Sequence, residues 1–229
     1  MFCPRFYVTL QAKRRDMDKM RHKAALFDLD GVVLDTESQY TLFWGAMARR
    51  YHPEQPGLEQ RLKGQTLPVI LNEYFGDVAN EHDTIVKGLD EFQKNMNYPF
   101  IAGFEDFMNE LKALEVKTAV VTSSDISKME IVYGKIPGFK DLFDVILTQE
   151  DFDRSKPDPD CYLKAAARLR MNNEECVVFE DSINGLKSGR AAGMTVVGLA
   201  TTNPRDVVAQ LSDIVINNYK EDRLSWLVI

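Results

Sequence analysis

Six short apolar runs, each closed by a polar turn, punctuate the chain: Ala24 to Phe27, Thr118 to Thr122, Asp144 to Thr148, Cys176 to Phe179, Met194 to Gly198 and Asp213 to Ile216. Runs this short, bounded by turn-forming residues, predict buried strands. Between the first and second runs the apolar period becomes helical. Leu42, Phe43, Met47 and Tyr51 form one stripe, Leu67, Ile70, Leu71, Tyr74 and Phe75 a second, and Ile85, Leu89, Phe92 and Met96 a third. All three stripes read as core, with Met and aromatic side chains filling space. Pro53, Pro56 and Gly57 break the first gap and Gly76 ends the second helix. Asn97-Tyr98-Pro99 to Gly103 reads as a return turn, followed by a helix through Phe104, Phe107, Met108, Leu111 and Leu114. Further helices are predicted from Cys161 through Leu169, up to Ala191-Ala192-Gly193, and after Pro204. Strands alternating with helices make a parallel α/β sheet, with Asp213 to Ile216 as an edge strand.

Composition narrows the class. A chain of 229 residues, 45% of them hydrophobic, can bury a substantial core, as one domain or as a core with a smaller insertion. A formal net charge of -7 argues against a general nucleic-acid binder, and an anionic substrate would need positive charge concentrated at its site. Cys3, Cys161 and Cys176 are widely spaced, with no metal-ligand pairing, and read as thiols of a reducing, cytoplasmic compartment. No apolar stretch approaches the roughly 18 residues that span a membrane. Residues 1–22 read as a solvated tail. Phe6 to Leu10 is too short for a secretory segment, the basic Lys13-Arg14-Arg15 follows it, and Asp16 and Asp18 weaken a transit-peptide reading. Met17 and Met20, just before the first strand, are the expected native starts.

Chemistry collects where the apolar runs end, which is where open α/β sheets place their active sites. In Asp28-Leu29-Asp30-Gly31 the alternation turns both carboxylates to one side, and Gly31 lets the chain turn away. Two carboxylates in one small space need a cation, a proton or a substrate group between them, which points to metal binding, acid/base chemistry or both. An EF-hand loop is disfavoured because Gly31 follows the second acid directly and a strand precedes where a helix is required. The second run ends in Thr122-Ser123-Ser124-Asp125, whose hydroxyls and carboxylate could simply cap the next helix. Lys156 lies in Ser155-Lys156-Pro157-Asp158-Pro159, where prolines stiffen the backbone, although most loop lysines are merely solvated. The fourth run ends in Glu180-Asp181-Ser182, where Asp181 could serve as a helix cap. Together with Asp28 and Asp30, this second acidic pair supplies enough oxygen for an octahedral Mg2+ that retains waters.

These four stretches, in this order, resemble the motifs of the haloacid dehalogenase superfamily, and Asp35-Thr36-Glu37 resembles its subgroup of β-phosphoglucomutases and small sugar-phosphate phosphatases. The resemblance covers nearly all of the chain from Lys23. It implies a Rossmann-like parallel sheet core with helices on both faces, residues 23–37 and 99–229, and a small helical cap inserted after the first strand, residues 38–98. It also implies roles. Asp28 is the nucleophile, forming an aspartyl-phosphate, and Asp30 is the general acid/base. Thr122 and Ser123 bind the phosphoryl group, and Lys156 neutralises it. Mg2+ is held by Asp28, the Asp30 main-chain carbonyl, Asp181 and Glu180, the last directly or through water. Asp at position 30 favours a phosphatase or mutase over an ATPase or dehalogenase.

The choice between hydrolase and mutase turns on the cap. The mutase pattern has a His five residues after the last aspartate of the first motif, and that position is Tyr40. Leu62-Lys63-Gly64 resembles the substrate-binding Lys-Gly element, which makes Lys63 a candidate, yet Gln65-Thr66-Leu67-Pro68 lacks the Arg that grips a second phosphate. The expectation is therefore a monomeric Mg2+-dependent phosphatase acting on a small phosphate ester, with a phosphohexomutase as runner-up and a non-catalytic phosphate-binding module as the opposing class. Neither nucleic acid nor membrane is an expected partner.

Overall fold

The computed structural model describes residues 21–221. Six parallel strands form one sheet in the order β3-β2-β1-β4-β5-β6: β1 Ala24–Phe27, β2 Lys117–Val121, β3 Val145–Leu147, β4 Cys176–Glu180, β5 Thr195–Leu199 and β6 Ile214–Ile216. Strands buried on both faces need no polar alternation, so they read as continuous apolar runs. On one face Ala25, Phe27, Val120 and Phe179 pack against Phe104, Phe107 and Leu111 of helix α5 (Phe104–Ala113) and Met129 and Val132 of α6 (Ile126–Lys135). On the other, Ala24, Leu26, Ala119 and Val178 meet Cys161, Tyr162 and Ala165 of α7 (Asp160–Leu169), Leu186 of α8 (Ile183–Ala191) and Val208 of α9 (Arg205–Ala209). Phe27 lies at the centre of the first face, stacked on Phe179 at 4.7 Å and edge-on to Phe104 at 5.6 Å. Truncating such a residue to Ala costs about 3–5 kcal/mol.

Four helices between β1 and α5 form a separate apolar cluster: α1 Glu37–Tyr51, α2 Leu58–Arg61, α3 Leu67–Tyr74 and α4 His82–Asn95. Phe43, Trp44, Leu58, Ile70, Phe75, Ile85 and Leu89 are buried in it. Leu42 departs from the expected stripe, being 70% exposed. The inward face of α1 carries Phe43, Trp44 and Ala48, and one residue back, about 100° around the helix, places Leu42 outside. Gly76 opens a 3-10 turn, Gly76–Glu81, after α3 has already ended.

The chain leaves and re-enters the sheet side by side. Asp35 N donates to Pro99 O at 2.8 Å, Ile101 N to Val33 O at 2.9 Å, and Gln39 Nε2 to Asn97 O at 2.9 Å. At the far side the turn after α2 rests on the sheet's loops: Ser123 Oγ donates to Gly64 O at 2.9 Å, Asn184 Nδ2 to Lys63 O at 3.0 Å, and Thr66 N to Ser155 Oγ at 3.1 Å. The insertion is therefore tied to the sheet at two places by hydrogen bonds, with the cleft between them.

The expected tail ends sooner than residue 22. His22 is buried, its Nε2 2.9 Å from Thr195 Oγ1, and Lys23 N donates to Glu175 O at 2.7 Å. The expected starts at Met17 and Met20, and Cys3, lie outside the described residues. Among the described residues, no helix is long and apolar enough to cross a membrane.

Candidate active site

The carboxyl ends of β1, β2 and β4, adjacent in the sheet, deliver Asp28, Thr122 and Glu180 to one place. Asp28 N donates to Phe179 O at 3.0 Å, which continues the ladder past the strand and fixes the start of the loop. Leu29 turns into the core, while Asp28 and Asp30 both line the cleft, as their alternation predicts. Gly31 has φ +79°, and a Cβ there would collide with Asp181 Oδ2. Only glycine allows the turn and the close approach of the second acidic strand end together.

Lys156 is buried, its ammonium 2.6 Å from Asp28 Oδ1 and 2.7 Å from Glu180 Oε1, with Val121 O accepting at 3.2 Å. Burial works against its charge, but the carboxylates of Asp28 and Glu180 hold it well above the ordinary lysine range. The Asp28 carboxyl is pushed up to about 8, by burial first and by the charges of Glu180 and Asp30, with Lys156 opposing. Burial, then the charges of Glu37, Glu180 and Asp28, push Asp181 up as well.

One carboxylate oxygen each from Asp28, Glu180 and Asp181 lies within 4.8 Å of the others. Three buried carboxylates around one buried ammonium leave a negative excess that a divalent cation would balance, so the donor set fits one. The three members differ in how free they are. Glu180 Oε1 accepts from Lys156 Nζ and from Tyr162 OH at 3.0 Å, and Oε2 from Asp181 N, Ser182 N and Ser182 Oγ at 2.9, 3.0 and 3.1 Å. Asp181 has its Oδ2 on the Thr202 hydroxyl and its main-chain oxygen on Asn203 Nδ2. It is not the helix cap, because Ser182 takes that place, its Oγ accepting from Gly185 N at 3.0 Å.

Asp30 sits beside this cluster. Its Oδ1 accepts from Thr36 Oγ1 at 2.5 Å, and its Oδ2 from Lys128 Nζ and, at 3.4 Å, from Ser124 Oγ. Thr122 is buried, its Oγ1 accepting from Ser124 N at 3.0 Å, and Ser123 turns its hydroxyl to Gly64 O. Asp125 caps α6, Oδ1 accepting from Lys128 N at 2.8 Å. Lys63 reaches the cleft, but its ammonium lies 3.1 Å from Glu37 Oε2. The residues singled out in the sequence thus line one open cleft of roughly 800 Å³ or, for Lys156 and Glu180, stand directly behind its floor.

Two participants were not singled out individually. Lys128 is buried, bonded to Asp30, and its Nζ lies 4.6 Å from the centre of the Tyr40 ring. A cation in the first turn of a helix opposes the helix dipole, and that misplacement is the sequence signal for a compensating anion. Glu37 borders the same space, its carboxyl pushed up by burial against the opposing charge of Lys63.

A buried Asp-Lys-carboxylate floor thus lies at the carboxyl edge of a parallel sheet, beside a helical insertion. The sequence model of the haloacid dehalogenase-like hydrolase family matches residues 25–199, so the chain belongs to that family. It is 27% identical to validoxylamine A 7'-phosphate phosphatase of Streptomyces hygroscopicus subsp. limoneus, over 88% of this chain and 96% of that one. It is 28% identical to the β-phosphoglucomutase of Bacillus subtilis strain 168, over 87% and 95%. Among solved structures, a HAD hydrolase of family IA, variant 3, from Entamoeba histolytica superposes with a TM-score of 0.73 at 23% identity, covering 90% of this chain and 97% of that one. Within the family the chain falls with the β-phosphoglucomutase-like and sugar-phosphate phosphatase members.

Proposed function

We propose that this protein is a Mg2+-dependent phosphatase that hydrolyses a small phosphorylated metabolite, such as a sugar phosphate, through an aspartyl-phosphate on Asp28. The observation that carries this is Lys156 fixed between Asp28 and Glu180 at the floor of a cleft that Asp30 also enters. Residues 38–98 act as the cap, closing over the floor on the paired connections near Asp35 and Pro99.

An Asp28 oxygen attacks phosphorus in line with the ester oxygen. The phosphorus–oxygen bond of the ester breaks, and Asp30 gives its proton to the departing alcohol. Water then attacks the aspartyl-phosphate, Asp30 takes a proton from it, and inorganic phosphate leaves with Asp28 restored. Thr36 and Lys128 hold the Asp30 carboxyl in place for both transfers. Lys156 offsets charge on the phosphoryl oxygens, and the Thr122 hydroxyl and the backbone N–H of Ser123 contribute hydrogen bonds there. Mg2+ held by Asp28, Asp181 and the Asp30 carbonyl, with Glu180 reached through water, would supply further charge neutralisation. Cys161 and Cys176 are both free thiols, which suits a cytoplasmic protein.

The mutase reading draws on the Bacillus relative, but among the described residues no Arg lines the cleft. Purified protein and its Asp28→Asn variant, each with Mg2+ or with chelator, should be given a panel of hexose, pentose and polyol phosphates. They should separately be given β-glucose 1-phosphate primed with glucose 1,6-bisphosphate. Release of free phosphate that needs both Mg2+ and Asp28 is expected. Glucose 6-phosphate with little free phosphate would contradict it in favour of the mutase.

A further inference from the structure

A cleft that grips a second anion needs positive charge not already committed. The carboxylates lining this one are Asp28, Asp30, Glu37, Glu59, Asp125 and Asp181, against two lysines. Both lysines have partners: Lys63 lies against Glu37 and Lys128 on Asp30. Glu59, half-buried on α2, has neither an ion pair nor a side-chain hydrogen bond among the described residues. It stands beside the α1 wall, where a Cβ on Gly45 would lie 3.9 Å from its Cγ and 3.3 Å from Nη1 of Arg49, an exposed cation of α1 that forms no ion pair with it. That wall and its neighbours are apolar: Trp44, Leu62, Leu67, Ile70 and Leu89. An indole and alkyl surface matches the C–H face of a ring, and an uncommitted carboxylate matches a hydroxyl donor. The same carboxylate, half-buried at the side of an open cleft, repels an anion brought beside it, and less so as salt screens the pair.

We propose that the cleft selects phosphate monoesters whose leaving group is uncharged, has an apolar face and offers hydroxyl donors, and that Glu59 helps reject leaving groups bearing a second phosphate or a carboxylate. This rests on the phosphatase reading and specifies its substrate class. The specificity comes from the helical insertion, while Asp28 and its partners perform the same chemistry on any ester that enters.

The test uses the full chain with Mg2+ and matched pairs: glycerol 3-phosphate against 3-phosphoglycerate, and glucose 6-phosphate against glucose 1,6-bisphosphate. 4-Nitrophenyl phosphate reports the chemistry itself, and inhibition of its turnover gives the affinity of any ester that is not hydrolysed. The neutral member of each pair is expected to be favoured at least about tenfold, by less as ionic strength rises. Glu59→Lys should shift the ratio about tenfold toward the anionic member, and Glu59→Gln should shift it the same way by less. Equal or reversed preference in the native protein, or ratios unmoved by both variants, overturns the inference when 4-nitrophenyl phosphate turnover still depends on Mg2+ and Asp28. If that turnover is absent or survives Asp28→Asn, the phosphatase reading fails and the selectivity falls with it.

Discussion

Lys156 has its ammonium fixed by Asp28, Glu180 and Val121 O, so its charge sits at one point without a search among rotamers. Removing it outright would leave two carboxylates buried without their cation, at a cost of roughly 3–5 kcal/mol in stability. Glu180→Gln is the gentler probe, since it keeps the shape and weakens the grip. It should lower kcat by about 10- to 100-fold while the Mg2+ concentration for half-maximal activity moves little. Asp181→Asn should raise that concentration sharply, and the two titrations side by side separate a lysine holder from a metal ligand. Asp30→Asn should cost about 10²- to 10⁴-fold in kcat on a sugar phosphate. Lys128→Met should cost less, and both should cost less still on 4-nitrophenyl phosphate, whose leaving group hardly needs a proton. That Asp28, Asp30, Thr122, Glu180 and Asp181 meet was legible because each stands at or just past the end of an apolar run, while Lys156 was marked by the prolines of its loop. Lys128 was not, because one lysine on a helix looks like surface until the fold sets it over Tyr40 and against Asp30.

The turn from Lys63 to Thr66 joins the insertion to the loops after β2 and β3 through Ser123 and Ser155, and to the first turn of α8 through Asn184. Gly64 within it has φ +77°, and a Cβ there would collide with Ser182 Oγ. Gly64→Ala should lower Tm by roughly 2–8 °C, from about 1–2 kcal/mol of left-handed backbone strain in a chain of this size. It should also cut kcat/KM by roughly tenfold by tilting the turn off the core. The strands themselves were readable to within a residue or so, because burial on both faces writes an unbroken apolar run. The helices were readable by period and largely by face, Leu42 being the stripe residue that turns outward. No sequence period reveals that Lys63 and Glu37 pair, since that contact depends on how the inserted helices sit on the sheet.

Taken as a whole, the molecule gathers more carboxyl groups at its floor than its own lysines balance, and stability should record this. Without metal, burial first and then the charges of Glu180 and Asp30 push the Asp28 carboxyl up to about 8 in the folded protein, against an ordinary value of 3.8 in the unfolded chain. The unfolded state therefore binds fewer protons across that window, and stability falls as pH rises through it. Asp181 and Glu37, also pushed up by burial, act in the same direction. Asp144, Asp151 and Asp160, held low by hydrogen bonds and cations despite the opposing effect of burial, act in the other direction and only at acid pH. Chelator-treated protein should thus melt at a lower temperature at pH 8 than at pH 5, with a smaller drop in Asp28→Asn. Added Mg2+ should raise Tm more at pH 8. The central claim is that phosphoryl transfer passes through Asp28, and the most direct measurement is an acid quench within the first turnovers of a hydrolysed ester, followed by mass analysis of the peptide that carries Asp28. The account predicts a phosphoryl group on Asp28 that forms with Mg2+, disappears in chelator and is absent from Asp28→Asn. Phosphate released at full rate with Asp28 never modified, or with another residue carrying the group, would contradict it.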